Sequence, residues 1–252
     1  MPRVFDIVIV GGGVHGTLLQ LALVRSGRCR PVVIDIEGDP LAVWKRTTSA
    51  CGMRFLRSTS SHNLELDFHA LRAFARSNGY GPSHFVQPHA RPSLELFNAH
   101  LDSLVRRYRL DDRVNDTIRV IHPKDGGLGF ELIGTEGHYR AKQVVLAPGN
   151  PPPGYPWQGY SHRLVHVFDP SFSLDAIDPA ESVAIIGCGV TGGQLAATLC
   201  QRGLERVTLI DPRRPSQTDY DGNPCFVGPR CLNDFEILTS PTERREMIRQ
   251  NR

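Results

Sequence analysis

The sequence predicts an α/β fold, with two βαβ units in one chain of 252 residues. Three observations carry this expectation. Two short apolar runs, residues 4–10 and 182–186, each end at a glycine cluster. Each cluster opens a stretch with helical apolar spacing and is followed by another apolar strand. Between the two units the pattern changes to that of short paired strands.

The elements follow in order. Val4-Phe5-Asp6-Ile7-Val8-Ile9-Val10 reads as a buried parallel strand. Val14 to Ser26 places apolar residues at 14, 18, 21, 22 and 24, roughly one helical face, and Gly27 is a natural left-handed stop. Pro31 to Ile36 is the next strand, and the crossover between the two should be right-handed. Asp67 to Asn78 reads as a helix stopped by Gly79. Pro92 to Leu110 reads as a longer helix with Pro92 at its first position. Its stripe of Leu94, Phe97, Leu101, Leu104, Val105 and Tyr108 is expected to pack in the core.

Residues 113–147 read as a small β-meander. Val114, Ile118, Val120 and Ile121 precede a turn at Gly126-Gly127, then Phe130 to Ile133, a polar turn at Thr135-Glu136-Gly137, and a buried strand Gln143 to Ala147. Residues 148–159 hold five prolines and read as a stiff junction. The βαβ pattern then returns: strand Ser182 to Ile186, helix Val190 to Arg202 stopped by Gly203, and strand Arg206 to Asp211. Ser240-Pro241-Thr242-Glu243 is a capping box that should open a last helix. The expected organisation is a first domain over 1–150 including the meander, a proline-rich junction over 151–181, and a partial second unit over 182–252.

Composition narrows the function class. Apolar residues at 40% and charged residues at 22% exclude a disordered chain, a coiled coil and a disulfide mini-scaffold. The net charge of +3 is small. Only Lys45, Lys124 and Lys142 of the 29 basic residues are lysine, and the arginines are scattered, which argues against a nucleic-acid face. The six cysteines form no C-x-x-C pair, so no metal site is expected, and they read as thiols in a reducing, cytoplasmic compartment. No apolar run approaches 18 residues, so no membrane-spanning helix is expected.

The chemistry lies in the glycine clusters. Gly11-x-Gly13-x-x-Gly16 and Gly187-x-Gly189-x-x-Gly192 follow the two strands. The first glycine permits the tight strand-to-helix turn, the second lets the backbone approach a pyrophosphate, and the third lets helix and strand pack closely. A diphosphate can then rest on the N–H groups that open the helix, those of Val14, His15 and Gly16 in one unit and Val190, Thr191 and Gly192 in the other. In both units 24 positions separate the first glycine from an acid at the end of the next strand, Asp35 and Asp211. An acid there can accept hydrogen bonds from a ribose diol, with Ile36 beside it in the first unit. Both units are therefore Rossmann-like.

Two such units with a meander between them resemble the two-dinucleotide-domain flavoproteins. Val144-Val145-Leu146-Ala147-Pro148-Gly149 is similar to their apolar strand ending in Ala-Thr-Gly, with Pro148 in place of the threonine. The resemblance implies FAD on the first unit, near Ala147 and Gly149, and NADH or NADPH on the second. Asp211 favours a free 2′-hydroxyl, whereas Arg213 and Arg214 could clamp a 2′-phosphate, and this kind of flavoprotein favours NADPH. Pro40 to Trp44, Met53 to Ser58 and Ser61 to Leu64 resemble the flavin-proximal stretch of FAD-dependent oxidoreductases related to the lysine and ornithine N-hydroxylating monooxygenases. That similarity implies Trp44, Arg54, Arg57 and His62 near the flavin, with Arg57 and His62 as catalytic candidates. The F-x-G-x-x-x-H fingerprint of Baeyer–Villiger enzymes is not met: Trp157-Gln158-Gly159 begins like it, but Arg163 stands where its histidine would be, flanked by His162 and His166.

The resulting expectation is an FAD-dependent oxidoreductase that uses NAD(P)H, monooxygenase-like, acting on a small molecule. The rival is a catalytically incomplete dinucleotide-binding module, or a subunit completed by a partner or oligomer. It is motivated by the chain stopping at Arg252, which leaves room for one βαβ unit and a helix beyond Gly187.

Overall fold

A computed structural model describes residues 4–127, 129–149, 161, 163–212 and 229–250 of the protein. Strand β1 (Val4–Val10) runs to the first glycine turn, and helix α1 (Val14–Ser26) follows. Gly27 closes α1 with φ 67° and donates its N–H to the Val24 carbonyl, as its position in the sequence implies. Strand β2 (Val32–Asp35), helix α2 (Ala42–Ala50) and helix α3 (Ala70–Ser77) come next. A short hairpin, β3 (Phe85–Val86) and β4 (Arg91–Pro92), leads into α4 (Leu94–Tyr108).

Pro92 therefore lies in a strand and not at the first position of the helix. The N-cap of α4 is Ser93, whose hydroxyl accepts the Leu96 N–H at 3.2 Å. The apolar stripe of α4 packs as expected. Leu96, Phe97, Leu101 and Leu104 are buried with Leu21, Leu41, Leu56, Leu64 and Leu71, and Trp44 packs against the same cluster. Helix α2 was not legible as a helix, because its sequence AVWKRTTSA carries two adjacent threonines and no cap.

One sheet holds the first unit. Its order is β5-β2-β1-β8-β7-β6, with β5 (Arg113–Asn115), β6 (Ile118–Pro123), β7 (Phe130–Gly134) and β8 (His138–Leu146). Strands β5, β2, β1 and β8 run parallel, while β6, β7 and β8 form the antiparallel meander. Val114 thus belongs to a parallel edge strand and not to the meander. The central strand β1 is paired on both sides, and Val8 and Ile9 are fully buried.

The second unit has β9 (Ser182–Ile186) and β10 (Arg206–Ile210), a parallel pair with helix α5 (Val190–Gln201) between them in sequence. Its own small core is Leu174, Ile185, Leu195, Leu199 and Leu204. Helix α5 also touches the first unit. Gln194 Nε2 donates to the Gly52 carbonyl at 3.2 Å, and the Thr198 hydroxyl to the Cys51 carbonyl at 3.3 Å.

Helices α6 (Pro229–Glu236) and α7 (Pro241–Gln250) end the described chain. The Ser240 hydroxyl accepts the N–H groups of Thr242 and Glu243, so the capping box opens α7 as expected. Cys231 is disulfide-bonded, whereas Cys29, Cys51 and Cys200 are free thiols, so the expectation of free thiols fails at Cys231. No described helix is long and apolar enough to cross a membrane.

Candidate functional site

The first glycine turn is built around two backbone conflicts that only glycine avoids. Gly11 has φ +104°, and a Cβ there would lie 2.2 Å from the Ala147 carbonyl oxygen. A Cβ on Gly16 would lie 2.0 Å from the Gly11 carbonyl oxygen, so α1 could not pack on the turn. Gly13 is different, since a Cβ there meets nothing within 4 Å. Its neighbourhood is open space at the start of α1, where the N-cap has no side-chain hydrogen bond. The first intrahelical bond is Thr17 N–H to the Gly13 carbonyl at 2.9 Å. The N–H groups of Val14, His15 and Gly16 precede it and so have no carbonyl partner within the helix, which leaves them to an anion.

The second turn repeats this geometry. Gly11 N–H donates to the Ile34 carbonyl at 2.8 Å, and Gly187 N–H to the Ile210 carbonyl at 2.8 Å. Gly12 N–H donates to Asp35 Oδ2, and Cys188 N–H to Asp211 Oδ2 at 2.9 Å. Thr17 N–H reaches Gly13 at 2.9 Å, and Gly193 N–H reaches Gly189 at 2.9 Å. Gly187 has φ +100°, and a Cβ on Gly192 would lie 1.9 Å from the Gly187 carbonyl oxygen. Around Gly189 there is open space, and the N–H groups of Val190, Thr191 and Gly192 stand free of the helix ladder.

The two acids serve the turns themselves. Asp35 Oδ1 also accepts the Glu37 N–H at 2.8 Å. A carboxylate has about four acceptor positions, so two backbone donors leave capacity for a sugar diol. Ile36 beside it is 65% exposed, an apolar side chain left without cover in the fold. Arg213 and Arg214 lie outside the described residues, as do Trp157, Gln158, Gly159 and His162.

Beside the N-terminus of α1 lies a mostly apolar cavity of about 450 Å³. Val14, Trp44, Leu64, Phe68 and Phe97 line it, with His62 at its wall. The structure thus brings Val14, Trp44 and His62 together. The Trp44 indole donates to Asn98 Oδ1 at 3.1 Å and lies 5.5 Å from the Phe97 ring, which fixes its plane. Arg54 and His15 are exposed, Arg57 is half-buried, and none of the three lines this cavity. Ala147 closes the other side of the turn, its N–H donating to the Val10 carbonyl at 2.8 Å, and Gly149 follows with φ +71°.

A larger cavity of about 880 Å³ adjoins the second turn. Gly187, Gly189, Val190, Thr191 and Gly192 line it together with Arg163 and His166. In the sequence His166 stands only as a flank of an unmet fingerprint, and its place in this cavity comes from the fold. Among the described residues no group of three or more His, Cys, Asp or Glu is placed to hold a metal.

A further residue was missed altogether. Arg113, at the start of β5, donates from Nη1 to the Gly12 carbonyl at 2.9 Å and from Nη2 to Thr17 Oγ1 at 2.9 Å. Burial pushes its pKa down to about 10, with the Asp35 and Asp111 carboxylates opposing, so it stays cationic at neutral pH. A lone arginine in a scattered set gives no sequence signal.

Two similar glycine turns in one chain have counterparts among known proteins. The cyclohexanone monooxygenase of Rhodococcus sp. Phi1 bound to NADP+ is similar with a TM-score of 0.63 and 20% identity, over 86% of this chain and 40% of that one. A flavin monooxygenase from Stenotrophomonas maltophilia, as a double mutant, gives 0.57 and 21% identity, over 86% and 59%. The bacillithiol disulfide reductase of Staphylococcus aureus gives 0.56 and 16%, over 94% and 65%. At these identities the likeness is one of fold. The chain spans about 40% of the length of the cyclohexanone monooxygenases it matches. No curated protein sequence matches it. The family model described as pyridine nucleotide-disulphide oxidoreductase matches residues 5–221, most of the chain. With its two dinucleotide-type turns, this chain belongs to the pyridine nucleotide-disulphide oxidoreductase family, whose members depend on FAD and NAD(P).

Proposed function

We propose that the protein uses NAD(P)H to reduce FAD and acts as a monooxygenase-like hydroxylase of a small molecule. The observation that carries the reading is the repeated hydrogen-bond pattern of the two turns, one beside the Trp44 cavity and one beside the His166 cavity. Two sites of one kind in one chain suit a hydride handed from one dinucleotide to another. When bound, FAD supplies the redox chemistry and the protein supplies orientation and water exclusion.

In this reading residues 1–150 form the FAD domain, 151–181 a junction, and 182–252 part of the NAD(P) unit. Gly11, Gly13 and Gly16 admit the FAD diphosphate to the N–H groups of Val14, His15 and Gly16. Asp35 takes the ribose diol, with Ile36 against the adenosine. Trp44, Arg54, Ala147 and Gly149 flank the flavin end, and Arg57 and His62 are the candidates for handling a proton there. Gly187, Gly189, Val190, Thr191 and Gly192 receive the NAD(P)H diphosphate. Asp211 takes its ribose, and Arg213 and Arg214 make NADPH the preferred donor.

A second reading is a module that binds both dinucleotides but needs a partner chain to turn over. It is favoured by Ile186 (52% exposed) and Ile210 (51%), which leave apolar surface open on β9 and β10. One experiment separates the two. The purified protein is given FAD, freed of excess, and its visible spectrum is followed on adding NADPH. Bleaching of a bound flavin supports the enzyme; a bound flavin that NADPH cannot reduce supports the module. Failure to retain FAD overturns both.

A further inference from the structure

We propose that Arg113 is a positioning residue for the first dinucleotide turn: by drawing the Gly12 carbonyl inward, it aims the Gly13 N–H at the cofactor diphosphate. The inference rests on the reading that the first turn holds FAD.

The geometry is over-determined. Arg113 Nε donates to the Leu110 carbonyl at 2.8 Å, which fixes the guanidinium plane at the mouth of β5. Nη1 then reaches the Gly12 carbonyl at 2.9 Å, while Nη2 reaches Thr17 Oγ1 at 2.9 Å and Gln20 Oε1 at 3.0 Å. The Thr17 hydroxyl donates to the same Gly12 carbonyl at 3.0 Å. Thr17 and Gln20 are 0% and 2% exposed, so this network has no competing water.

The consequence follows from peptide geometry. In a planar trans peptide the C=O and N–H point in opposite directions. The Gly12 carbonyl and the Gly13 N–H belong to one peptide. With the carbonyl held toward Arg113, the Gly13 N–H points away from the guanidinium, on a residue where an added Cβ would meet nothing within 4 Å. Meanwhile the Gly12 N–H is held by Asp35, so an anion and a cation grip Gly12 from its two ends. The cation also adds to the positive field of the α1 N-terminus, where a diphosphate would rest.

A separate observation agrees. Gly12 occupies a variable position of the glycine motif, where the motif demands nothing. Yet a Cβ on Gly12 would lie 2.2 Å from Arg113 Nη1. A side chain at position 12 would push this guanidinium from its place, so Arg113 gives a reason for a glycine that the motif does not.

The test uses flavin-free full-length protein and measures the affinities of ADP, adenosine and FAD by calorimetry, with melting temperature alongside. Arg113→Gln should weaken ADP and FAD about tenfold or more, the scale of a lost charged hydrogen bond, and leave adenosine within about twofold. Arg113→Lys should recover part of the loss, because the charge returns without the fork. Gly12→Ala, which displaces Nη1 but keeps the arginine, should show the same selective loss and serves if Arg113→Gln melts too low to assay. An equal fall for ADP and adenosine, or no change for either, overturns the proposal. Wild-type protein that binds neither FAD nor ADP overturns the flavin reading instead.

Discussion

Gln194 on the helix of the second glycine turn donates to the carbonyl of Gly52, which follows the helix that carries Trp44, at 3.2 Å. The second dinucleotide unit thereby rests on the segment that lines the first unit's cavity. Thr198 adds a bond to Cys51 one helical turn later. Gly52 has φ +66°, and a Cβ there would lie 2.4 Å from Thr198 Oγ1. The contact is therefore sensitive to a single methyl group.

Gly52→Ala is expected to destabilise the protein by about 1–3 kcal/mol, from backbone strain and the clash together. Adding Thr198→Ala should return only the clash part, because the positive φ remains. Melting curves of the single and double variants measure both shares. Equal stability of Gly52→Ala and wild type would show that α5 does not rest there.

The glycine turn offers a contrast between binding and folding. Gly13→Val enters open space at the N-cap of α1, so the cost in stability should stay within about 1 kcal/mol. Retention of FAD should nevertheless fall at least about tenfold, because the backbone can no longer reach a pyrophosphate. Gly16→Val should instead lower soluble yield and melting temperature, since its side chain meets the Gly11 carbonyl. Flavin absorbance per protein and thermal melting separate the two effects. Unchanged FAD retention in Gly13→Val would remove the first turn as the FAD site.

Asp116 joins the parallel edge of the sheet to the meander. Its carboxylate accepts the Thr117 N–H at 2.7 Å, the Thr135 hydroxyl at 2.8 Å, the Glu136 N–H at 3.0 Å and the Tyr139 hydroxyl at 2.8 Å. Burial opposes its ionisation, but these bonds outweigh burial and hold Asp116 far below the usual carboxylate range. Burial, and then the bond to Asp116, push Tyr139 up to about 12. A depressed folded pKa gives stability that is present above about pH 4 and is lost as pH falls toward the folded value. Asp116→Ala should cost roughly 3 kcal/mol at pH 7. Between pH 5 and 2 wild type should lose more melting temperature than this variant. Parallel acid profiles would deny Asp116 that role.

His100 gives the same sign in a higher pH window. It is 1% exposed, its Nε2 lies 3.1 Å from Glu65 Oε1, and its Nδ1 is buried without a partner. Burial pushes its pKa below the ordinary histidine value, and the Glu65 carboxylate only partly opposes this. The unfolded chain then takes up the proton first, so stability should be greatest above about pH 6.5 and decline below it. His100→Gln should flatten the melting profile between pH 7.5 and 5.5. A profile as steep as that of wild type would place the titrating group elsewhere.

The turns, their acids and the strands that directly flank them were legible in the sequence. A tight strand-to-helix turn needs positive φ at one glycine and contact with the carbonyl below another, so its chemistry is written within a few residues. The Asp35 and Asp211 spacing was legible for the same reason, since a short βαβ unit has little freedom in length. Other features needed the folded chain. Arg113 lies 101 positions from the Gly12 carbonyl it holds, and only the pairing of β5 with β2 brings it there. The shared cavity of Val14, Trp44 and His62 likewise depends on how α2 and α4 pack. Local conformational constraint fixed the dinucleotide turns, whereas the sheet order and the burial of long-range hydrogen bonds decided which side chains support them.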